Sequence, residues 1–403
     1  MSEPLISRSC DLRRLWTEGY DIAIDGAWLL VRQVPYVDRQ RSVQCGTLAL
    51  KLSLQQTPAG EATTKPADHT AYFDGTEPCD AQGRALTEII NSSDAKETID
   101  GRSFRYRFSH KPLENGSKRL YIDYFEQVST YAEILADQAR AVSAAASAFP
   151  AVRQPPVESD YPFHYSDTAS VRAGISDINR RVSGQVVGII GLGGTGSYIL
   201  DMVAKTHVRE LHLWDRDAFE QHTAFRAPGA ASADELEQLP TKCEYYQAIY
   251  SKMRTGVIAH PHHMEADHFG ELDGLDFAFV AVDRGPSRGK IVPALLERDI
   301  PFIDVGMGMA AEERGLTGQA RVTLVTHETR EFALAEIPTD DADADADDVY
   351  GDNVQIAEMN ALNAVLAVIK WKKHMGVYAD VVQEWDSAYM IASNAIVNTG
   401  AAS

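Results

Sequence analysis

Residues 186–215 hold the pattern that most restricts what this chain can fold into. Val186-Val187-Gly188-Ile189-Ile190 is an apolar run without alternation, as expected of a strand covered on both faces. It leads into Gly191-Leu192-Gly193-Gly194-Thr195-Gly196-Ser197, where Gly191, Gly193 and Gly196 fit G-x-G-x-x-G. In such a unit the first glycine makes the turn and the second lets a phosphate approach the backbone. The third lets the helix pack on the strand. Tyr198 to Val208 reads as that helix, and Glu210 to Asp215 as the second strand. The free N–H groups and positive dipole end of the helix suit an anion. Asp215, at the tip of the second strand, can accept hydrogen bonds from ribose hydroxyls. The pattern implies a nucleotide without saying which one.

The chain has 403 residues, room for two domains, and is ordinarily globular at 44% apolar and 24% charged. Its formal net charge of −20 argues against a nucleic-acid partner, whose phosphates it would repel, and favours a partner with a basic face. Cys10, Cys45, Cys79 and Cys243 form no C-x-x-C pair, so neither a zinc knuckle nor a disulfide framework is expected. No apolar run has the length of a signal peptide or a bilayer span. We therefore expect a cytoplasmic protein without membrane contact.

Residues 1–150 do not continue the α/β pattern and read as a separate α+β domain. Ile22 to Val34, Cys45 to Leu54 and Ala71 to Phe73 read as strands, and polar Gln55 to His69 as a loop. Tyr121 to Ala148 has helical spacing. In Glu77-Pro78-Cys79-Asp80 the cysteine is either a nucleophile or a turn residue, and no neighbouring base supports the former. Residues 151–164 are expected to be a linker, within the proline-rich stretch Phe149 to Pro162. Asp167 to Arg181 then reads as one helix, capped by Thr168 or Ser170.

Beyond Asp215 lies a polar loop that includes Asp217 and Arg226, at the sheet edge where open α/β folds bind ligands. Lys242 opens a helix, Cys243 to Met253, a poor place for a cation unless an anion joins it. Phe277 to Asp283 is another buried strand ending in a carboxylate. A helix from Ser287 to Glu297 and strands at Pro301 to Val305 and Gln319 to Val325 follow. Asp340 to Asp348 is a like-charge run whose spacing does not fit a calcium loop. Val354 to His374 is a long alanine-rich helix with a possible dimer surface.

The groups at one sheet edge are the glycine turn, Asp215, Asp217, Arg226, Lys242 and Asp283. Hydride transfer uses the turn and Asp215 but leaves the two cations and the second strand-end carboxylate without a purpose. Nucleotidyl transfer uses them all. Attack of a carboxylate on the α-phosphate of ATP builds negative charge on phosphoryl oxygens, which fixed cations stabilise. Asp283 suits magnesium, which takes few protein ligands and shares the others with phosphates.

This arrangement resembles the superfamily of ubiquitin-activating enzymes and their ThiF, MoeB, HesA and MccB relatives. The shared features are Gly-x-Gly-Gly-x-Gly-Ser, Asp-x-Asp, an Arg-bearing loop, a Lys opening a helix, and a strand ending in Asp followed by Arg288. The match covers about residues 165 to 375. The resemblance implies a Rossmann-like α/β adenylation domain over 165–403, with an acidic crossover loop at 339–350. It implies ATP and magnesium as cofactors, a homodimer, and adenylation of the C-terminal carboxylate of a ubiquitin-like protein or peptide. Gly191, Gly193, Gly194 and Gly196 would cradle the nucleotide, with Asp217 beside them. Asp215 would hold its ribose, Arg226 and Lys242 its phosphates, and Asp283 the metal. A family Arg reaches across the dimer to ATP, and Arg172 is its nearest counterpart.

The extra N-terminal domain resembles the arrangement of activating enzymes found beside ubiquitin-like and conjugating-type proteins in bacterial operons. Three departures stand out. Thr223 replaces the family's Asn and Ala227 its Gln. The zinc site of paired C-x-x-C motifs cannot be built, so no zinc is expected. No cysteine follows Cys243, so the thioester-forming cysteine of some members has no counterpart. Two other readings stay open: a nicotinamide-dependent oxidoreductase, and a nucleotide-binding scaffold that has lost catalysis.

Overall fold

The computed structural model describes residues 2–58, 60–63, 65–114, 116–156, 160–283, 285–339 and 354–400. The acidic run Asp340 to Asp348 lies outside them. The chain forms two compact units, Met1–Asp177 and Ile178–Ser403.

The first unit is built on a six-stranded sheet. Its order is Asp21–Asp25, Trp28–Val37, Val43–Lys51, Thr70–Phe73, Tyr106–Ser109 and Ile90–Ser92. The helix Tyr124–Val142 packs on it, and Phe73, Phe108, Tyr124 and Tyr131 fill the core. This helix is shorter than its apolar spacing suggests, because Asp123 caps it by accepting from Glu126 N–H.

Several sequence expectations change here. Ile22 to Val34 is a hairpin rather than one strand, since the chain reverses at Gly26, whose φ is +54°. Within the expected loop 55–69, Leu54–Thr57 and Gly60–Thr63 pair as a second hairpin. Two short helices, Ser2–Arg8 and Cys10–Glu18, precede the sheet and bury Leu12, Leu15 and Trp16. The expected helix 167–181 is broken at Gly174, which is left-handed at φ +70° and closes Thr168–Ala173 by bonding back to Ser170 O and Val171 O. Its cap is Asp167, which accepts from Ala169 and Ser170 N–H. Cys79 is buried in a bridge to Val37 and Ala85, and burial pushes its thiol up, the opposite of an activated nucleophile.

The second unit is mixed α/β. Its elements begin with β1 (Val186–Ile190), α1 (Gly194–Val203), β2 (Glu210–Trp214), α2 (Lys242–Tyr250) and β3 (Val257–His260). There follow β4 (Phe277–Val280), α3 (Gly285–Glu297), β5 (Phe302–Glu312), β6 (Gly315–Val325), α4 (Ala357–His374), β7 (Glu384–Met390) and β8 (Ala395–Gly400). The sheet order is β3-β2-β1-β4-β5-β6-β7-β8. The first five strands are parallel neighbours, and β5 to β8 continue antiparallel. β1 has β2 on one side and β4 on the other, so strand order reverses there, the switch point at which such sheets bind ligands. β1 is buried along its whole length, as its apolar run requires. The strand expected at 301–305 extends to Glu312 and returns as β6 in one long hairpin.

Candidate active site

The glycine turn leaves β1 at the switch point. Gly191 stands at φ +93°, and a Cβ there would lie 2.5 Å from Ala281 O in the loop after β4. No residue with a side chain fits. A Cβ on Gly193, by contrast, would meet nothing within 4 Å, so this glycine leaves open space in front of α1. The helix starts at Gly194, four residues before its expected start, so the turn itself supplies the first helical N–H groups.

Asp215 ties this turn to the next loop. One of its oxygens accepts from Leu192 N–H at 2.7 Å and the other from Asp217 N–H at 2.9 Å. Lys242 joins them: its Nζ donates to Asp217 at 2.7 Å and lies 3.8 Å from Asp215. This is the anion that a cation at a helix N-terminus needs. Thr241 and Glu244 cap the same helix with a reciprocal pair of bonds. Burial pushes the Asp215 carboxyl up, and Lys242 pulls it back. Asp217, more exposed, is held below the usual range by its bond to Lys242.

Arg226 and Thr223 lie on the loop after β2. The Thr223 hydroxyl and Arg226 Nε are buried without a hydrogen-bond partner. Two such polar atoms so close in the chain, on the loop expected to face phosphate, fit a ligand rich in oxygens. Asp283 lies three residues beyond β4 and is exposed. An exposed carboxylate that adds hard oxygen donors beside a phosphate fits magnesium.

Other candidates belong elsewhere. Arg288 does not brace Asp283. Its guanidinium donates to Asp304 at 3.0 Å and to Val305 O, in a buried cluster that Arg321 joins from β6. Arg172 is an exposed residue of the first unit, in the helix Thr168–Ala173. Cys243 is fully buried, donates to Asp215 O at 3.2 Å, and is pushed up by burial.

Sequence reasoning missed Asn360. It is fully buried in α4, and its Oδ1 accepts from Thr195 Oγ1 at 3.0 Å. A Cβ on Gly194 would come within 2.2 Å of its amide, so Gly194 is required by packing. Its Nδ2 has no partner. The available signal was a pair of asparagines, Asn360 and Asn363, on one face of an otherwise alanine-rich helix.

An open, mostly parallel sheet with a glycine turn at its switch point defines a Rossmann-like α/β domain. The chain belongs to the ThiF family, whose description matches residues 168–376. Residues 10–168 match a domain of unknown function, DUF6791. No curated protein matches the chain. Among solved structures, E. coli MccB with MccA-N7isoASN is 16% identical, covering 56% of this chain and 67% of that one, with a TM-score of 0.44. E. coli MccB with ATP gives 16%, 56%, 67% and 0.42, and PaaA gives 15%, 55%, 66% and 0.44. Among the described residues, no helix is long and apolar enough to cross a membrane.

Proposed function

We propose that the second unit uses ATP to adenylate the C-terminal carboxylate of a ubiquitin-like protein or peptide. A carboxylate oxygen attacks the α-phosphorus, the bond to the bridging oxygen breaks, and pyrophosphate leaves. The observation that carries this reading is the unpaired Thr223 hydroxyl and Arg226 Nε on the segment between Asp215 and the Lys242 helix. Such an arrangement meets charge that develops on phosphoryl oxygens.

In this reading the N–H groups of Gly193 and Gly194 receive phosphate oxygens, and Asp215 orients the ribose. Lys242 exchanges Asp217 for a phosphate, and Arg226 neutralises the leaving group. Asp283 would hold magnesium, which supplies further positive charge to the phosphates. Arg172 reaches the nucleotide of a second copy in a homodimer. The first unit recognises the ubiquitin-like partner or a conjugating-type enzyme downstream. The chain stops at the acyl-adenylate or passes it directly to a thiol on another molecule, since no cysteine follows Cys243 in this sequence and Cys243 itself is buried.

Pyrophosphate exchange into ATP tests the reading. Exchange should require a ubiquitin-like partner or its tail, and Asp283→Ala should lower it about 100-fold. Full exchange by that variant removes the metal role. Calorimetric binding of NAD and none of ATP points instead to an oxidoreductase.

A further inference from the structure

At the end of the edge strand β3, three side chains meet that the adenylation reading does not use: His260 on the strand, His262 just after it, and Glu271 on the 3-10 helix Ala266–Leu272. His260 Nδ1 lies 3.0 Å from Glu271 Oε2, and His262 Nε2 lies 3.2 Å from Glu271 Oε1. One ligand atom from each of the three falls within 4.8 Å of the others, and all three residues are half-buried.

In the neutral rings, the partner on the far side selects the tautomer. His262 Nδ1 faces the His263 carbonyl at 3.2 Å, which accepts only, so Nδ1 carries the hydrogen and Nε2 presents a lone pair. His260 Nε2 meets His212 Nδ1 at 3.0 Å, and His212 Nε2 points to Glu210 at 3.5 Å. In the tautomer in which His260 Nε2–H donates to His212 and His212 Nε2–H to Glu210, the His260 Nδ1 lone pair faces Glu271. Two imidazole lone pairs and a carboxylate therefore converge. Three acceptors repel one another unless a proton or a metal cation sits among them.

The surroundings hold these groups in place. Trp214 Nε1 donates to Glu271 Oε2 at 2.9 Å. The Trp214 ring stacks on His260, with centroids 4.5 Å apart and planes 12° from parallel. The His262 ring stacks on His268 at 3.8 Å. Second partners on the far nitrogen of each ligating imidazole, and on the carboxylate, are what metal sites use to set tautomer and orientation. Ligands about 2.0–2.2 Å from zinc in a tetrahedron lie about 3.3–3.6 Å apart, slightly more than the 3.0 and 3.2 Å that separate each imidazole from its own Glu271 oxygen.

We propose that His260, His262 and Glu271 bind one divalent transition-metal ion of the zinc class, with a fourth position open. Two imidazoles and a carboxylate suit zinc more than magnesium or calcium. The ion braces the edge of the sheet beside the nucleotide loop. Its ligand Glu271 holds Trp214, the residue before Asp215, and His260 O accepts from Asp215 N–H at 3.4 Å. This proposal does not depend on the adenylation reading.

The full chain, stripped with chelator, should be titrated with zinc chloride by calorimetry and with cobalt(II) by visible absorption. One equivalent should bind per chain, and cobalt should give the intense visible bands of a four- or five-coordinate site. His262→Ala and Glu271→Gln should each weaken binding 100-fold or more and abolish those bands. His327→Ala, an exposed histidine outside the cluster, should change neither. Circular dichroism of His262→Ala checks that the fold persists. If no equivalent binds below about 100 μM, or if binding survives His262→Ala in a folded protein, the lone pairs are met by protons and the proposal fails.

Discussion

The Thr195 hydroxyl donates to the Asn360 carboxamide oxygen at 3.0 Å, joining the first turn of α1 to the first turn of α4. The same amide fills the space that a side chain on Gly194 would need. The glycine turn is therefore set by a helix that follows it by some 160 residues, rather than by its own glycines alone. Asn360→Ala should lose this bond and leave a void under Gly194. A cost of about 1.5 kcal/mol corresponds to roughly tenfold weaker nucleotide binding. Calorimetric titration with ATP measures it; unchanged affinity would separate α4 from the site.

Lys242 stands between two carboxylates, one buried and one more exposed. Lys242→Met should lower pyrophosphate exchange about 100-fold. It should also change the pH dependence of stability. Burial raises the folded Asp215 carboxyl above its unfolded value, so its contribution is present at low pH and is lost as pH rises through the folded value. Removing Lys242 raises that folded value further. The stability gap between wild type and variant should widen from about pH 4 to pH 7, reaching about 3 kcal/mol. Urea titrations across that range test the sign, and a gap that shrinks refutes it.

Thr223 carries a buried hydroxyl without a partner. Thr223→Val removes an unsatisfied group at nearly constant shape, so the nucleotide-free protein should melt at the same temperature or higher. Nucleotide affinity should nevertheless fall about tenfold, since the phosphate loses a donor. Paired thermal melts with and without ATP distinguish this from a packing role, which would lower both melting temperatures alike.

Arg254 is fully buried, and its guanidinium donates to the carbonyls of Ala204, Thr206, Val208 and Arg209 between α1 and β2. Burial pushes it down to about 10, which leaves it charged at neutral pH. Arg254→Met should destabilise the second unit by about 3–5 kcal/mol, because several buried carbonyls lose their donor. The midpoint of urea unfolding should shift accordingly; a shift below about 1 kcal/mol would show that water replaces the guanidinium.

The sequence alone was enough for the Rossmann-like half and its glycine turn. Glycine spacing, an unalternating apolar strand and a strand-end carboxylate are constraints between neighbours, and they act wherever the rest of the chain goes. Asp215, the glycine turn and Lys242 were legible for that reason. Only the tertiary structure decided that Asp217 neutralises Lys242, that Arg288 serves Asp304 and not Asp283, that Asn360 supports Gly194, and that His260, His262 and Glu271 converge. Each of those relationships joins residues on separate elements. Which partner a buried polar group finds is set by how sheet and helices pack, and no local pattern encodes it. The N-terminal hairpins show the same limit: Gly26 could turn or continue a strand, and pairing with the next strand settled which.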